Sequence, residues 1–424
     1  MATILSPLHD DAKPSGSNPA ANRVSAPTGV APRQRDPRLD FYRGIAMFII
    51  LCAHIPGNRW TGWIPARFGF SDATEIFVFC SGMASAIAFG GSFARKGWLM
   101  GTARVAFRCW QVYWAHIGLF FAIAATMAAL NLTGAFDKNY INSLNLGHFF
   151  KNPELNIVGL FTLNYVPNYF DILPMYLVVL ALMPLMMAAS RVNLWLAAAL
   201  SVGIWVLANP YVVGLGPVGY NLPAEPWSER KWFFNPLGWQ LLFFTGFAFM
   251  KGWLPAPPVS KWLILLALGF VIFSMPWGSW KVLNWIGYWD PTIKAEVRTH
   301  LPVIKEWRAK SDFGPLRYLH FLSLAYLGWV VAGEGGKRLI ASGNSFASRI
   351  WAQLLSIITK VGQQSLAVFV FSMWLARMIG WALDQVGREV MTVAVANLIG
   401  FALIIGCAYG AAWFKSQPWR SKTS

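Results

Sequence analysis

Long apolar runs recur along this chain from residue 41 to residue 414, and they constrain its fold more than any other feature. They fall at about 41–57, 72–90, 103–129, 171–189, 193–210, 236–254, 260–277, 316–335, 363–384 and 390–414. Most approach the roughly 20 residues that a helix needs to cross about 30 Å of hydrocarbon, where every backbone polar group must be satisfied internally. The pattern predicts an all-α polytopic membrane protein, about ten transmembrane helices bundled around a polar cavity. Composition points the same way, because only 12% of the 424 residues are charged and 56% are hydrophobic, too few charges to cover a soluble domain. The net charge of +17 taken alone would suggest nucleic acid. In so apolar a chain it fits basic cytoplasmic loops instead, so the expected partner is the lipid bilayer and no nucleic acid. Cys52, Cys80, Cys109 and Cys407 all sit inside apolar runs without metal-ligand spacing, so neither a disulfide framework nor a metal site is expected.

Residues 1–38 differ from the rest. They are rich in Pro, Ser, Ala and Asn, lack apolar periodicity and read as a disordered cytoplasmic tail, not a cleaved signal peptide. Residues 39–414 form the membrane domain, and 415–424 a short cytoplasmic tail. Ten spans return both termini to one side. Short-loop cations orient that side inward: Arg95, Lys96 and Arg104, then Arg191, Lys251 and Lys261, then Lys337, Arg338, Arg349 and Lys360. The larger segments, about 130–170, 211–235 and 278–315, then face outward and carry Trp227, Trp232, Trp285, Trp289 and Trp307. Such tryptophans serve as interface anchors, and some can stack on a sugar face. No internal repeat of the kind transporters carry is visible.

Ionisable groups inside or beside apolar spans are costly, which makes them functional candidates. In the first span, Arg43 and His54 are three helical turns apart, roughly 16 Å along one face. Pro56 and Gly57 follow and end the helix. Arg43 suits an anionic group arriving from inside, and His54 suits a general base acting on a hydroxyl. A positive-inside anchor and a helix-end polar residue are the plainer explanations. The second span opens with Asp72 and Glu75 on one face, either as a helix cap or as carboxylates that orient His54. Arg104 and Arg108 enter the third span as phosphate or carboxylate ligands, with snorkelling as the alternative for Arg104. His116 reads as a packing residue. Asn164, Asn168, Tyr169 and Asp171 crowd a proline-broken entrance suited to a neutral polyhydroxy ligand, with ordinary turn and interface composition as the alternative. Gln240 opens the sixth span, Arg317 and His320 share a face of the eighth, and Arg377 lies within the ninth without an assigned partner.

These segments together resemble the OpgC family, within the wider group of membrane acyltransferases. The resemblance rests on Arg38-Leu39-Asp40-Phe41-Tyr42-Arg43-Gly44, on His54-Ile55-Pro56-Gly57-Asn58, and on the run from Gly69 to Phe79 with Ser81-Gly82. It continues through Asn164 to Pro174, Phe234-Asn235-Pro236 with Trp239-Gln240, and Gly362-Gln363-Gln364-Ser365-Leu366, covering about 35–414. It implies an inner-membrane succinyltransferase with both termini cytoplasmic. Cytosolic succinyl-CoA would be the acyl-donor substrate, with no permanently bound cofactor, and the glucose hydroxyls of osmoregulated periplasmic glucans the acceptor. It also carries the catalytic histidine onto His54 and an early arginine onto Arg43. On that basis Asp72 and Glu75 assist His54, and Arg43, Arg104 and Arg108 hold the donor. Asn164, Asn168, Tyr169, Asp171, Gln240, Arg317 and His320 meet the acceptor or the acyl group, with Arg317 as counter-charge to a succinyl carboxylate. A glycan O-acetyltransferase and a glycan or metabolite transporter are the alternatives.

Overall fold

A computed structural model of the chain describes residues 36–134 and 138–420. Among the described residues the architecture is all-helical, without strands. The helices are α1 (Pro37–His54), α2 (Ala73–Leu132), α3 (Gly147–Lys151), α4 (Pro153–Phe161) and α5 (Ile172–Ala181). They continue with α6 (Met183–Val192), α7 (Leu194–Ala208), α8 (Pro236–Lys251), α9 (Lys261–Gly278) and α10 (Trp280–Trp289). The last are α11 (Pro291–His300), α12 (Pro315–Ala332), α13 (Phe346–Gln363), α14 (Ser365–Val386) and α15 (Val390–Ser416). The tail expected at 1–38 lies outside the described residues except for its end, where Asp36 caps α1 and Pro37 and Arg38 are already helical.

Local chemistry explains where the principal helices begin and end. The Asp36 carboxylate accepts from the Arg38 amide at 3.0 Å, and Pro37, which has no amide hydrogen to lose, occupies the first turn. Asp72 and Glu75 form a reciprocal capping box at the start of α2. Asn235 accepts from the Leu237 amide at 3.1 Å ahead of Pro236, so α8 begins there.

The 60-residue α2 is not one rod. Gly97 adopts φ 82°, which a side chain would resist, and the chain folds back there into arms 73–96 and 98–132. Arg104 bonds Ser92 at 2.6 Å, although twelve residues of straight helix would hold them about 18 Å apart. Both arms had been expected as separate spans. Among the described residues five helices are long and apolar enough to cross a membrane: α2, the continuous α5–α6 pair, α9, α14 and α15. They make this a membrane protein. The remaining expected spans coincide with α1, α7, α8 and α12, which are shorter or more polar, so the count of ten is not met on length and apolarity alone.

α2 packs along α8, and α1 lies against α2, α13 and α14. The α2–α8 contact is reciprocal: a Cβ on Gly82 would strike the Phe243 carbonyl, and one on Gly246 the Phe79 carbonyl. Such small-residue seams let backbones approach where helix association cannot rely on expelling water. Of the tryptophans expected to face outward, Trp232 is buried, whereas Trp285 and Trp289 on α10 are exposed.

Candidate active site

His54 ends α1 because Pro56 and Gly57, the latter at φ 70°, cannot continue it. Its Nδ1 lies 2.7 Å from the Ile50 carbonyl oxygen, one turn earlier. A carbonyl oxygen only accepts, so Nδ1 carries the proton and Nε2 keeps its lone pair. The imidazole meets the Tyr169 ring edge-on at a centroid distance of 5.4 Å, and the Arg377 guanidinium lies 3.9 Å from that same ring's centroid. Tyr169 has φ 90°, unusual for a residue with a side chain, and its hydroxyl donates to the Met373 carbonyl at 2.6 Å.

Asp72 and Glu75 do not orient the imidazole, contrary to the sequence expectation. Each is already held. Asp72 caps α2 and pairs with Lys310 at 2.5 Å, while Glu75 accepts from the Asp72 amide at 2.7 Å and pairs with Arg317 at 2.5 Å. The backbone oxygen of Ile50 does the orienting instead. Arg317 is thereby committed to a protein carboxylate, which leaves it a poor counter-charge for a ligand. Nearby, burial pushes the Asp312 carboxyl above its ordinary range, and it accepts from Asn235 Nδ2 at 2.8 Å.

The other predicted contact residues divide. Tyr169 stands at the histidine. Asn168 is exposed and accepts from Arg230 at 2.9 Å. Asn164 is exposed, its amide closing the end of α4 on the Gly159 carbonyl. Asp171 is buried and accepts from the Phe233 amide at 3.3 Å. Gln240 is fully buried between α7 and α8, donating to the Ser201 carbonyl at 2.7 Å and accepting from the Ser201 hydroxyl at 2.8 Å. It has no polar edge left for a substrate, so its expected ligand role gives way to helix packing. His320 is likewise internal: its Nδ1 meets Ser71 Oγ at 2.6 Å and tethers the segment ahead of α2. His116 is buried, in keeping with packing.

The three arginines expected to hold the donor do converge. Arg43, Arg104 and Arg108 line one cavity of about 1110 Å³ with Lys415, and among the described residues no carboxylate lines it. Arg43 donates to Ser365 Oγ, Arg108 to Gln111 Oε1 at 3.1 Å, and Lys415 to Gln364 Oε1 at 2.5 Å. All of these partners are neutral, so the described lining carries a net positive charge, with Asp40 as a nearby acid that acts on Arg43. Trp110, Trp114 and Trp374 supply apolar wall. His54 is not among the lining residues. It stands at the opposite end of α1 from Arg43.

A protein-family model, described as OpgC protein, matches residues 35–416, nearly the whole chain. The chain belongs to the OpgC family. Membership points to an acyltransferase-type enzyme acting in glucan modification. Searches of curated proteins and of solved structures give no match. In this OpgC-family chain two cations at the histidine were not assigned from sequence. Lys310 lies in a loop among Lys305 and Arg308 and carries no distinguishing signal. Arg377 did carry one, an arginine inside an apolar span, but nothing local names its neighbours.

Proposed function

We propose that this chain is a transmembrane O-succinyltransferase that moves a succinyl group from cytosolic succinyl-CoA to glucose hydroxyls of periplasmic glucans. The observation that carries this reading is the polarity of α1. A cavity whose described lining holds four cations and no acid lies at its Arg43 end, and a histidine with an open Nε2 lies at its other end. Ten crossings would be made by α1, the two arms of α2, α5–α6, α7, α8, α9, α12, α14 and α15. Both termini would then be cytoplasmic, in the inner membrane, with the cationic cavity facing the cytosol.

The chemistry follows from that polarity. The phosphates of CoA suit Arg43, Arg104, Arg108 and Lys415, since charge-assisted bonds to phosphate are the strong ones. The pantetheine arm would carry the thioester toward His54. Nε2 takes the proton of a glucan hydroxyl as its oxygen attacks the succinyl carbonyl. Collapse of the tetrahedral adduct breaks the carbon–sulfur bond, and the CoA thiolate receives a proton, giving ester and free CoA. Ile50 holds the imidazole in the tautomer this requires.

The test is transfer of label from succinyl-CoA to purified periplasmic glucan by membrane vesicles, comparing wild type with His54→Ala. Loss of labelling in the variant, with donor binding retained, is expected. Equal labelling by both, or none by a wild type that binds donor, would refute the reading. Transport of unmodified glycan without ester formation would favour a transporter, and preference for acetyl-CoA an acetyltransferase.

A further inference from the structure

Arg377 differs from the other cations around His54. Lys310 is matched by Asp72 at 2.5 Å and Arg317 by Glu75 at 2.5 Å, and farther out Arg388 is matched by Asp384 at 2.7 Å. Arg377 makes no ion pair among the described residues, and its Nε is buried without a hydrogen-bond partner. Arg377 is half-buried, and a guanidinium partly withdrawn from water without a counter-ion is costly, so the fold must hold it there by other means. The means is Tyr169. The guanidinium lies over the tyrosine ring at 3.9 Å, a cation–π contact, and the ring is clamped by its hydroxyl bond to Met373. The unfavourable φ of 90° at Tyr169 is a second cost borne at the same point. The same ring meets His54 at a centroid distance of 5.4 Å. One strained tyrosine thus contacts both an unpaired guanidinium and the candidate base.

We propose that Arg377 receives the free carboxylate of a dicarboxylic acyl group and so selects a succinyl donor over an acetyl donor. This rests on the acyl-transfer reading above. A hydroxyl activated by Nε2 lies about 3 Å from it. The acyl carbonyl carbon sits beside that hydroxyl, and two methylenes set the terminal carboxylate about 4 Å beyond the carbonyl carbon. Imidazole and guanidinium both contact one ring, at 5.4 and 3.9 Å from its centroid, which puts them within the compass of a short acyl chain. An arginine stacked on an aromatic face keeps further N–H donors at its rim for a planar carboxylate, beyond the one that interacts with the Tyr169 hydroxyl. An acetyl group would leave those donors unpaired. Arg317, the counter-charge expected from sequence, is already neutralised by Glu75, whereas Arg377 is not.

The experiment uses the full chain in vesicles with purified periplasmic glucan, and compares kcat/KM for succinyl-CoA and acetyl-CoA in wild type, Arg377→Lys and Arg377→Gln. Wild type should prefer succinyl-CoA. Arg377→Gln should lose about 100-fold with succinyl-CoA and less than about threefold with acetyl-CoA, the loss appropriate to a charged hydrogen bond. Arg377→Lys should fall between. The ratio of the two rates does not depend on the fraction of folded protein. Equal proportional loss with both donors, or unchanged succinyl transfer in Arg377→Gln, overturns the assignment alone. A wild type that transfers neither group overturns the acyl-transfer reading and the assignment with it.

Discussion

Replacing Glu75 by Gln should destabilise the protein sharply, and replacing Arg317 as well should recover most of the loss. Glu75 is fully buried, and its carboxylate makes the 2.5 Å pair with Arg317, whose side chain is only 11% exposed. With the carboxylate removed, Arg317 stays buried beside Lys310 and Arg308 with a neutral amide for company. Breaking such a pair by removing one partner costs about 3–5 kcal/mol, because the survivor cannot regain its hydration. At about 2 °C per kcal/mol for a large chain, the apparent melting temperature should fall by about 6–10 °C. The double variant Glu75→Gln/Arg317→Met removes the stranded charge and should lie within about 2 kcal/mol of wild type, since an apolar substitute often matches a buried pair. Thermal unfolding of the four proteins in one detergent, followed by tryptophan fluorescence, completes the double-mutant cycle. Additive losses, with the double variant worse than either single one, would refute the claim that the two groups stabilise chiefly through each other.

Three further outcomes are expected. Arg108→Gln should raise KM for the acyl-CoA about tenfold with kcat little changed, because it removes one charged contact from the cavity and leaves His54 untouched; an unchanged KM in steady-state kinetics would contradict this. Gly246→Ala should cost about 1–3 kcal/mol in thermal unfolding, since the new methyl group meets the Phe79 carbonyl, whereas Gly203→Ala in α7, with open space around it, should be neutral or stabilising; equal effects would contradict the close α2–α8 seam. Asp312→Asn should flatten the dependence of stability on pH. Because burial raises the folded pKa of Asp312 above 3.8, the protonated carboxyl contributes stability that is full below 3.8 and lost as pH rises through the folded value. Melting curves from pH 3.5 to 7 with the same slope in both proteins would contradict it.

Much of the helical layout was legible because its causes are local. The Asp72–Glu75 box, Asn235 before Pro236, and Pro56–Gly57 act within one turn of helix, and sequence neighbours suffice to state them, whereas the cap of α1 by Asp36 falls inside the expected tail. The small pair Ser81–Gly82 indicated a close helix contact, and Gly82 makes one with α8. The reversal between the spans expected at 72–90 and 103–129 was legible, whereas its form was not: one continuous helical element kinked at Gly97, with Phe93 close to Gly101 and Arg104 bonded to Ser92.

The site divided along the same line. Residue type and spacing were enough to nominate Arg43, Arg104 and Arg108 as a basic group and His54 as the base at the far end of the same helix. Spacing could not show that Asp72 and Glu75 answer Lys310 and Arg317, which lie 238 and 242 positions away. Nor could it show that Gln240 is consumed by Ser201, or that Arg377 rests on Tyr169 beside the histidine. The sequence by itself determined a membrane-embedded helical chain, the principal helix ends and the costly polar residues, because hydropathy and capping depend on neighbours within a few positions. The partners of those residues were decided only by the tertiary structure. An ion pair or a stacked ring forms between helices wherever packing brings them together, and that distance is not encoded in any local run.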